Sequence, residues 1–256
     1  MIHKRYFNLF LFLIIVFYCS FVQFLSQGLA EETVTLNTED QTKLNCTYYQ
    51  PPMPNAPGVI LLPDTRCSNN HFGSIPKKFN QAGFAVLAMD FRYKELISKA
   101  GGIKEQISTI QKQDLAKLVN YDTKSGIDFL LAKKEVDPNR ISLIGTSLGS
   151  RVALISGIKY NSNALVLISL SGEDALPGYK PVKELLSDYG EKPILFISAE
   201  KDWGGNFKAA EYNKLYYEWK NGKKELKIWS GSGHGVELIE KEEAINFVIN
   251  FIKSNL

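Results

Sequence analysis

Beyond residue 30 the chain alternates between two kinds of apolar pattern. Apolar runs occupy 59–62, 84–89, 141–144, 164–168 and 194–197, unbroken except at Ser142. Runs without a polar residue at every second position predict strands covered on both faces, as in a parallel sheet. Between them, 72–82, 112–133, 148–159, 207–220 and 236–254 carry apolar residues at helical spacing. In 112–133, for example, Leu115, Leu118, Val119, Ile127, Leu130 and Leu131 form an apolar set and leave polar residues facing outward. Residues 226–229 supply a last strand, and 33–37 with 44–49 read as a short antiparallel hairpin at the entry. Strand alternating with helix predicts an α/β fold in which right-handed crossovers cover both faces of a mostly parallel, twisted sheet. Such sheets bind ligands beyond the carboxyl ends of their strands.

The first 30 residues follow a different pattern. His3, Lys4 and Arg5 precede a nearly continuous apolar run from Tyr6 to Leu25, and Gly28 and Ala30 place small residues two apart before Glu31. A basic start, an apolar middle and a small-x-small end predict a secretory signal peptide cleaved after Ala30. The run of about 20 residues is also long enough to span a bilayer as an uncleaved anchor. Residues 1–30 are therefore expected to be a signal peptide or an N-terminal membrane anchor, and 31–256 a single exported domain, periplasmic or extracellular. Membrane association, if any, would run through residues 6–25. Bulky Phe17 and Tyr18 ahead of Cys19 do not resemble a lipid-attachment context.

Composition narrows the chemistry. The 30 Lys and Arg against 27 Asp and Glu give +3 over 256 residues, with no basic patch to suggest nucleic acid. Three His and three Cys are too few and too scattered for a metal cluster. No cofactor or metal is implied. Beyond the leader, Cys46 and Cys67 are compatible with either a disulfide in an oxidising compartment or two buried free thiols.

One motif carries chemistry. Gly145-Thr146-Ser147-Leu148-Gly149 has the form G-x-S-x-G and lies between a predicted strand and a predicted helix. That is the setting of a nucleophile elbow, where a tight turn holds a serine out at the top of the sheet. A serine hydroxyl is a poor nucleophile until a base takes its proton, so a histidine and an orienting carboxylate are needed. His234, in Gly231-Ser232-Gly233-His234-Gly235, follows the last predicted strand, and Asp202 follows the strand 194–197. Ser147, Asp202 and His234 thus occur in the order Ser, Asp, His, each beyond a separate strand. Glu200 is the alternative acid. His71 lies on the wrong side of the sequence for this order and is expected in a surface loop, with a place bordering the pocket as the alternative. Asp90 and Arg92 follow the strand 84–89, where structural ion pairing is the more common role, and Trp203 is expected to pack beside Asp202.

These segments together resemble the α/β-hydrolase superfamily, and within it the dienelactone-hydrolase-like and small serine esterase branch. The resemblance spans 33–254 and includes the Asp137-Pro138-Asn139-Arg140 turn, the elbow, Ser198-Ala199-Glu200-Lys201-Asp202 and the Gly-Ser-Gly-His-Gly segment. It implies Ser147 as nucleophile, His234 as general base, Asp202 as its orienting carboxylate, and an oxyanion hole from the backbone N–H groups of Leu148 and Thr65. The chain has Pro63 and Asp64 where the family commonly carries His-Gly. The activity implied is hydrolysis of a small-molecule carboxylic ester through an acyl-enzyme. A thioesterase, peptidase or acyltransferase shares that intermediate, and the departure at Pro63 and Asp64 keeps a catalytically inactive hydrolase-fold binding protein as the alternative. Only about 25 residues, 169–193, separate two strands where many relatives insert a cap, so no large cap domain is expected. The longer connection 90–113 is the candidate substrate loop.

Overall fold

The computed structural model describes residues 31–202 and 208–256; the leader and Trp203 lie outside the described residues. The chain enters through β1 (Glu31–Asn37) and β2 (Lys43–Tyr49), the expected antiparallel hairpin, paired in register from Glu31↔Tyr49 to Asn37↔Lys43. It continues through β3 (Ala56–Leu62), α1 (Ile75–Gln81), β4 (Ala85–Met89), α2 (Lys94–Ser98), α3 (Ile103–Gln111), α4 (Lys124–Leu131), β5 (Val136–Thr146) and α5 (Leu148–Lys159). β6 (Ala164–Ile168), α6 (Val182–Asp188), β7 (Ile194–Lys201), α7 (Ala209–Trp219), β8 (Lys224–Ser232) and α8 (Glu242–Lys253) complete the described elements. The sheet order is β1-β2-β4-β3-β5-β6-β7-β8, with every pair from β4 to β8 parallel.

Alternate residues of the apolar runs face opposite layers. Ile60, Leu62, Leu143, Leu165, Leu167 and Phe196 pack with α4 to α7, whereas Val59, Leu61, Ile144, Val166, Leu195 and Ile197 pack with α1 and α8. A strand of period two with both faces buried is apolar at nearly every position, which is why Ser142, itself completely buried in β5, is the one polar residue in these runs. No helix among the described residues is long and apolar enough to cross a membrane.

Several boundaries differ from the sequence expectation, each for a local reason. The pattern over 112–133 is not one helix. Lys112 closes α3, Asp114 accepts the Ala116 N–H at 3.2 Å to start a new turn, and Leu118–Thr123 widens into a π-helix before α4. Within that wide turn the Thr123 hydroxyl donates to the Leu118 carbonyl at 2.8 Å. The segment 236–254 divides because Lys241 is extended, leaving a short 3-10 turn, Gly235–Ile239, ahead of α8. The connection 90–113 folds into α2 and α3, and 169–193 holds only α6, too little for a large cap. Cys46 and Cys67 are both buried free thiols among apolar neighbours. Burial pushes the Cys46 thiol up to about 12 and that of Cys67 upward as well.

The charged groups after β4 are structural. The Arg92 backbone N–H donates to Asp122 Oδ2 at 2.9 Å, its Nε to Asp122 Oδ1 at 2.8 Å and its Nη1 to Asp40 Oδ2 at 2.6 Å. Asp122 is completely buried, so Arg92 ties the β1–β2 turn and the π-helix to the end of β4. Asp90 instead accepts Lys94 Nζ at 2.6 Å and the Asn69 N–H at 2.7 Å.

Arg92→Ala leaves a buried carboxylate without its cation and is expected to lower stability by about 3–5 kcal/mol at pH 8. Burial already raises Asp122 to about 6 against the opposing pull of Arg92, and loss of Arg92 raises it further. A carboxyl raised in the folded state carries no penalty below its ordinary range, and the penalty grows as pH climbs through the folded value. Urea unfolding of the variant should therefore show a smaller deficit at pH 5 than at pH 8. An equal deficit at both would exclude a buried Asp122 charge as its source.

Candidate active site

The G-x-S-x-G turn is built by steric exclusion. A Cβ on Gly145 would stand 2.1 Å from the Gly149 carbonyl oxygen, and one on Gly149 would stand 2.2 Å from that of Leu62. Neither position tolerates a side chain, since both obstacles are backbone. The close approach at Gly149 also brings the first turn of α5 against the end of β3 and the loop that follows it. Between the glycines Ser147 takes φ 53°, ψ −112°, strained for a residue with a Cβ. Its N–H donates to the Ile168 carbonyl at 2.8 Å, fixing the turn to the end of β6. The Ser150 hydroxyl strengthens the same joint, lying 2.7 Å from both the Gly145 and Ile168 carbonyl oxygens and accepting the Ile168 N–H at 3.0 Å. Ser147 is half-buried at the sheet top, and Leu148 is the first residue of α5. The N–H groups of a first helical turn have no partner within the helix.

Asp202 and His234 are brought together from the ends of β7 and β8. Asp202 is completely buried and His234 is 8% exposed, with His234 Nδ1 2.6 Å from Asp202 Oδ1. An ionised carboxylate only accepts, so Nδ1 carries the proton and the lone pair of the neutral ring lies on Nε2. Glu200, the alternative acid, faces elsewhere: its Oε2 accepts the Gly231 N–H at 3.4 Å. The histidine loop is set by Gly233 at φ 146° and Gly235 at φ 61°, and the His234 N–H donates to Glu237 Oε2 at 3.2 Å. A Cβ on Gly235 would stand 3.7 Å from Cβ of Thr146 and 4.0 Å from Asp64 Oδ2. The histidine loop, the elbow and the loop after β3 therefore meet around that glycine.

The loop after β3 shows what replaces the expected His-Gly. Asp64 turns its carboxylate back on its own loop, where it accepts the Arg66 N–H at 2.9 Å and Arg66 Nε at 3.0 Å and pairs with Arg66 Nη2. Its carbonyl accepts the Cys67 N–H at 2.9 Å, closing a turn over 64–67 with Cys67 at φ 59°. Thr65 sits at the crown of this turn, half-buried. Asp64 raises the pKa of Arg66 further, with smaller contributions from Glu237 and Glu240 across the cleft. His71 lies in the short helix Asn69–Phe72, half-buried; burial and then Arg66 lower its pKa, and Nδ1 has no partner among the described residues. It forms no part of the Asp202–His234 pair.

Ser169 belongs to none of the sequence motifs. This residue directly follows β6 in the left-handed region, φ 56°, and is 2% exposed. Its hydroxyl donates to Asp202 Oδ2 at 2.6 Å and accepts the Gly235 N–H at 2.8 Å. A serine at a strand end has no signature of its own; only the three-strand geometry reveals it.

Comparison with known proteins agrees with this architecture. The model of the dienelactone hydrolase family matches residues 44–247, about four-fifths of the chain. Among solved structures, a putative dienelactone hydrolase from Klebsiella pneumoniae superposes with a TM-score of 0.70 at 16% identity, over 90% of this chain and 98% of that one. An esterase from Pyrococcus furiosus gives 0.65 at 22% identity, over 88% and 93%. The dienelactone hydrolase from Anabaena variabilis gives 0.59 at 17%, over 89% and 96%. No curated protein matches the chain significantly. At these identities the solved structures speak for the fold, and the family match, over the segments that form the elbow and the acid and histidine loops, speaks for the lineage: the chain belongs to the dienelactone hydrolase family and is a hydrolase of the α/β-hydrolase fold.

Proposed function

We propose that the protein is a serine hydrolase that cleaves carboxylic esters through an acyl-enzyme. The observation that carries this reading is the buried 2.6 Å pair of His234 Nδ1 and Asp202 Oδ1, on loops that converge with the strained Ser147 turn. In the acylation step Ser147 Oγ attacks the ester carbonyl while Nε2 of His234 takes its proton, and Asp202 stabilises the imidazolium that forms. The Leu148 N–H and the Thr65 N–H are the proposed donors to the oxyanion. The imidazolium then protonates the departing alkoxide. Water, deprotonated by the same nitrogen, releases the acid and restores Ser147.

The short 169–193 connection supports small or exposed esters over long acyl chains held in a tunnel. The exposed side chains of Leu96 in α2 and of Ile103 and Ile107 in α3 belong to the 90–113 connection, the proposed substrate-contacting segment. The basic-apolar-small pattern of residues 1–30 supports export, with a mature domain from residue 31.

Incubation of the purified protein with a fluorophosphonate should add one phosphonyl group at Ser147, visible by intact mass and peptide mapping. Ser147→Ala abolishes the adduct, and His234→Ala slows both labelling and hydrolysis of a p-nitrophenyl ester by at least about 1,000-fold. A folded wild-type protein that neither labels nor turns over any ester would favour the binding-protein reading, for which Pro63 and Asp64 are the motivation. Sequencing the amino terminus of exported protein should give Glu31 first; a chain still beginning at Met1 would overturn cleavage and favour an anchor.

A further inference from the structure

The Ser169 hydroxyl joins all three parts of the acid and histidine apparatus. It donates to Asp202 Oδ2 at 2.6 Å, the oxygen opposite the one that holds His234, and it accepts the N–H of Gly235, the residue after the histidine, at 2.8 Å. Its own N–H donates to the Ile197 carbonyl at 2.8 Å, anchoring it to the neighbouring strand. This buried hydroxyl thus bears on both the plane of the carboxylate and the height of the histidine loop relative to it. The backbone here favours glycine, because φ is 56°. A serine in that conformation retains a strained Cβ, and the feature glycine would lack is the hydroxyl.

We propose that Ser169 is a fourth member of the proposed catalytic group, a positioning residue that acts on His234 through Asp202. The assignment rests on the Ser147-His234-Asp202 reading and deepens it. Rotation of the Asp202 carboxylate about its Cβ–Cγ axis would carry the imidazole away from Ser147, and the Ser169 bond to Oδ2 opposes that rotation. With Oδ2 tethered by Ser169, the orientation that presents Nε2 to the serine is fixed before substrate arrives, so no reorganisation is needed during the reaction.

Ser169→Gly separates this role from a structural one, because it relieves the backbone strain while removing the hydroxyl. The variant should stay folded with a thermal unfolding midpoint lowered by no more than a few degrees, because relief of backbone strain offsets part of the lost hydrogen bonding; it should keep KM within 2-fold and lose kcat and the rate of fluorophosphonate labelling by about 10- to 100-fold, the range for one lost charge-assisted hydrogen bond. In an Asp202→Ala background the same substitution should lower the residual labelling rate by clearly less than it does in the wild type, since the part of its effect that passes through that carboxylate is gone and only the Gly235 bond remains. Full kcat in Ser169→Gly, or an undiminished loss in the Asp202→Ala background, would overturn the positioning role while leaving a reactive wild-type Ser147 intact. A wild-type protein that fails to label would instead remove the parent reading and the positioning role with it.

Discussion

A carboxylate with no exposure to solvent can remain charged only if the protein supplies the donors that water would have given. Asp202 imposes that requirement on the hydrolase. Its two oxygens reach the imidazole of His234 and the hydroxyl of Ser169, drawn from the ends of β8 and β6, while the residue itself ends β7. Three neighbouring strands must therefore deliver these groups to one point. β6 ends where Ile168 pairs with Ile197, β7 and β8 run on together to Lys201 and Ser232, and the Asp202 N–H closes a turn onto the Ala199 carbonyl at 3.2 Å just beyond the irregularity in that pairing. The site is in this sense a consequence of strand length and register, and the loops add only the last residue or two of each arm.

The second constraint is steric and acts on the other half of the site. Ser147 can stand at the top of β5 only because Gly145 and Gly149 let α5 begin within a side-chain radius of both its own strand and β3. That contact places the open N–H groups of the helix start beside the 64–67 turn. The turn itself is held from within, by the Asp64 carboxylate on Arg66 and the Asp64 carbonyl on Cys67. Local side-chain-to-backbone bonds of this type fix a loop without help from neighbouring elements. Replacement of the family's usual His-Gly at this position therefore leaves an ordered loop, with an ion pair beside the histidine loop in its place.

Much of this was legible in the residues alone, and the parts that were not share a cause. The five apolar runs, the hairpin, the elbow and the order Ser147, Asp202, His234 follow from patterns that are local in sequence: period, glycine spacing, and position after a strand. The split of 112–133 was hidden because Asp114 and Thr123 act through side-chain bonds to backbone, which a hydrophobic periodicity does not register. β5 begins at Val136 rather than near 140 because its register against β3 shifts between Ala56 and Gly58, beside Pro138. Ser169 and Ser150 were invisible for a stronger reason. Each acts on partners 18 to 66 residues away, and a lone serine after a strand carries no mark of the company it will keep.

The Arg66–Asp64 pair bears on which substrates the cleft would receive. Asp64 lies close to Gly235, so the pair stands beside the histidine rather than at a remote rim. Arg66 is only partly covered, and the acidic Glu237 and Glu240 lie within its electrostatic reach on the opposite loop. An anionic substrate group approaching Arg66 would have to displace Asp64 and face those two carboxylates, whereas a neutral ester meets no such opposition. Like charges at close range exclude a ligand more effectively than a missing contact weakens it. For the ester hydrolysis proposed above, these charges beside the histidine loop and the short 169–193 connection both favour small, uncharged esters.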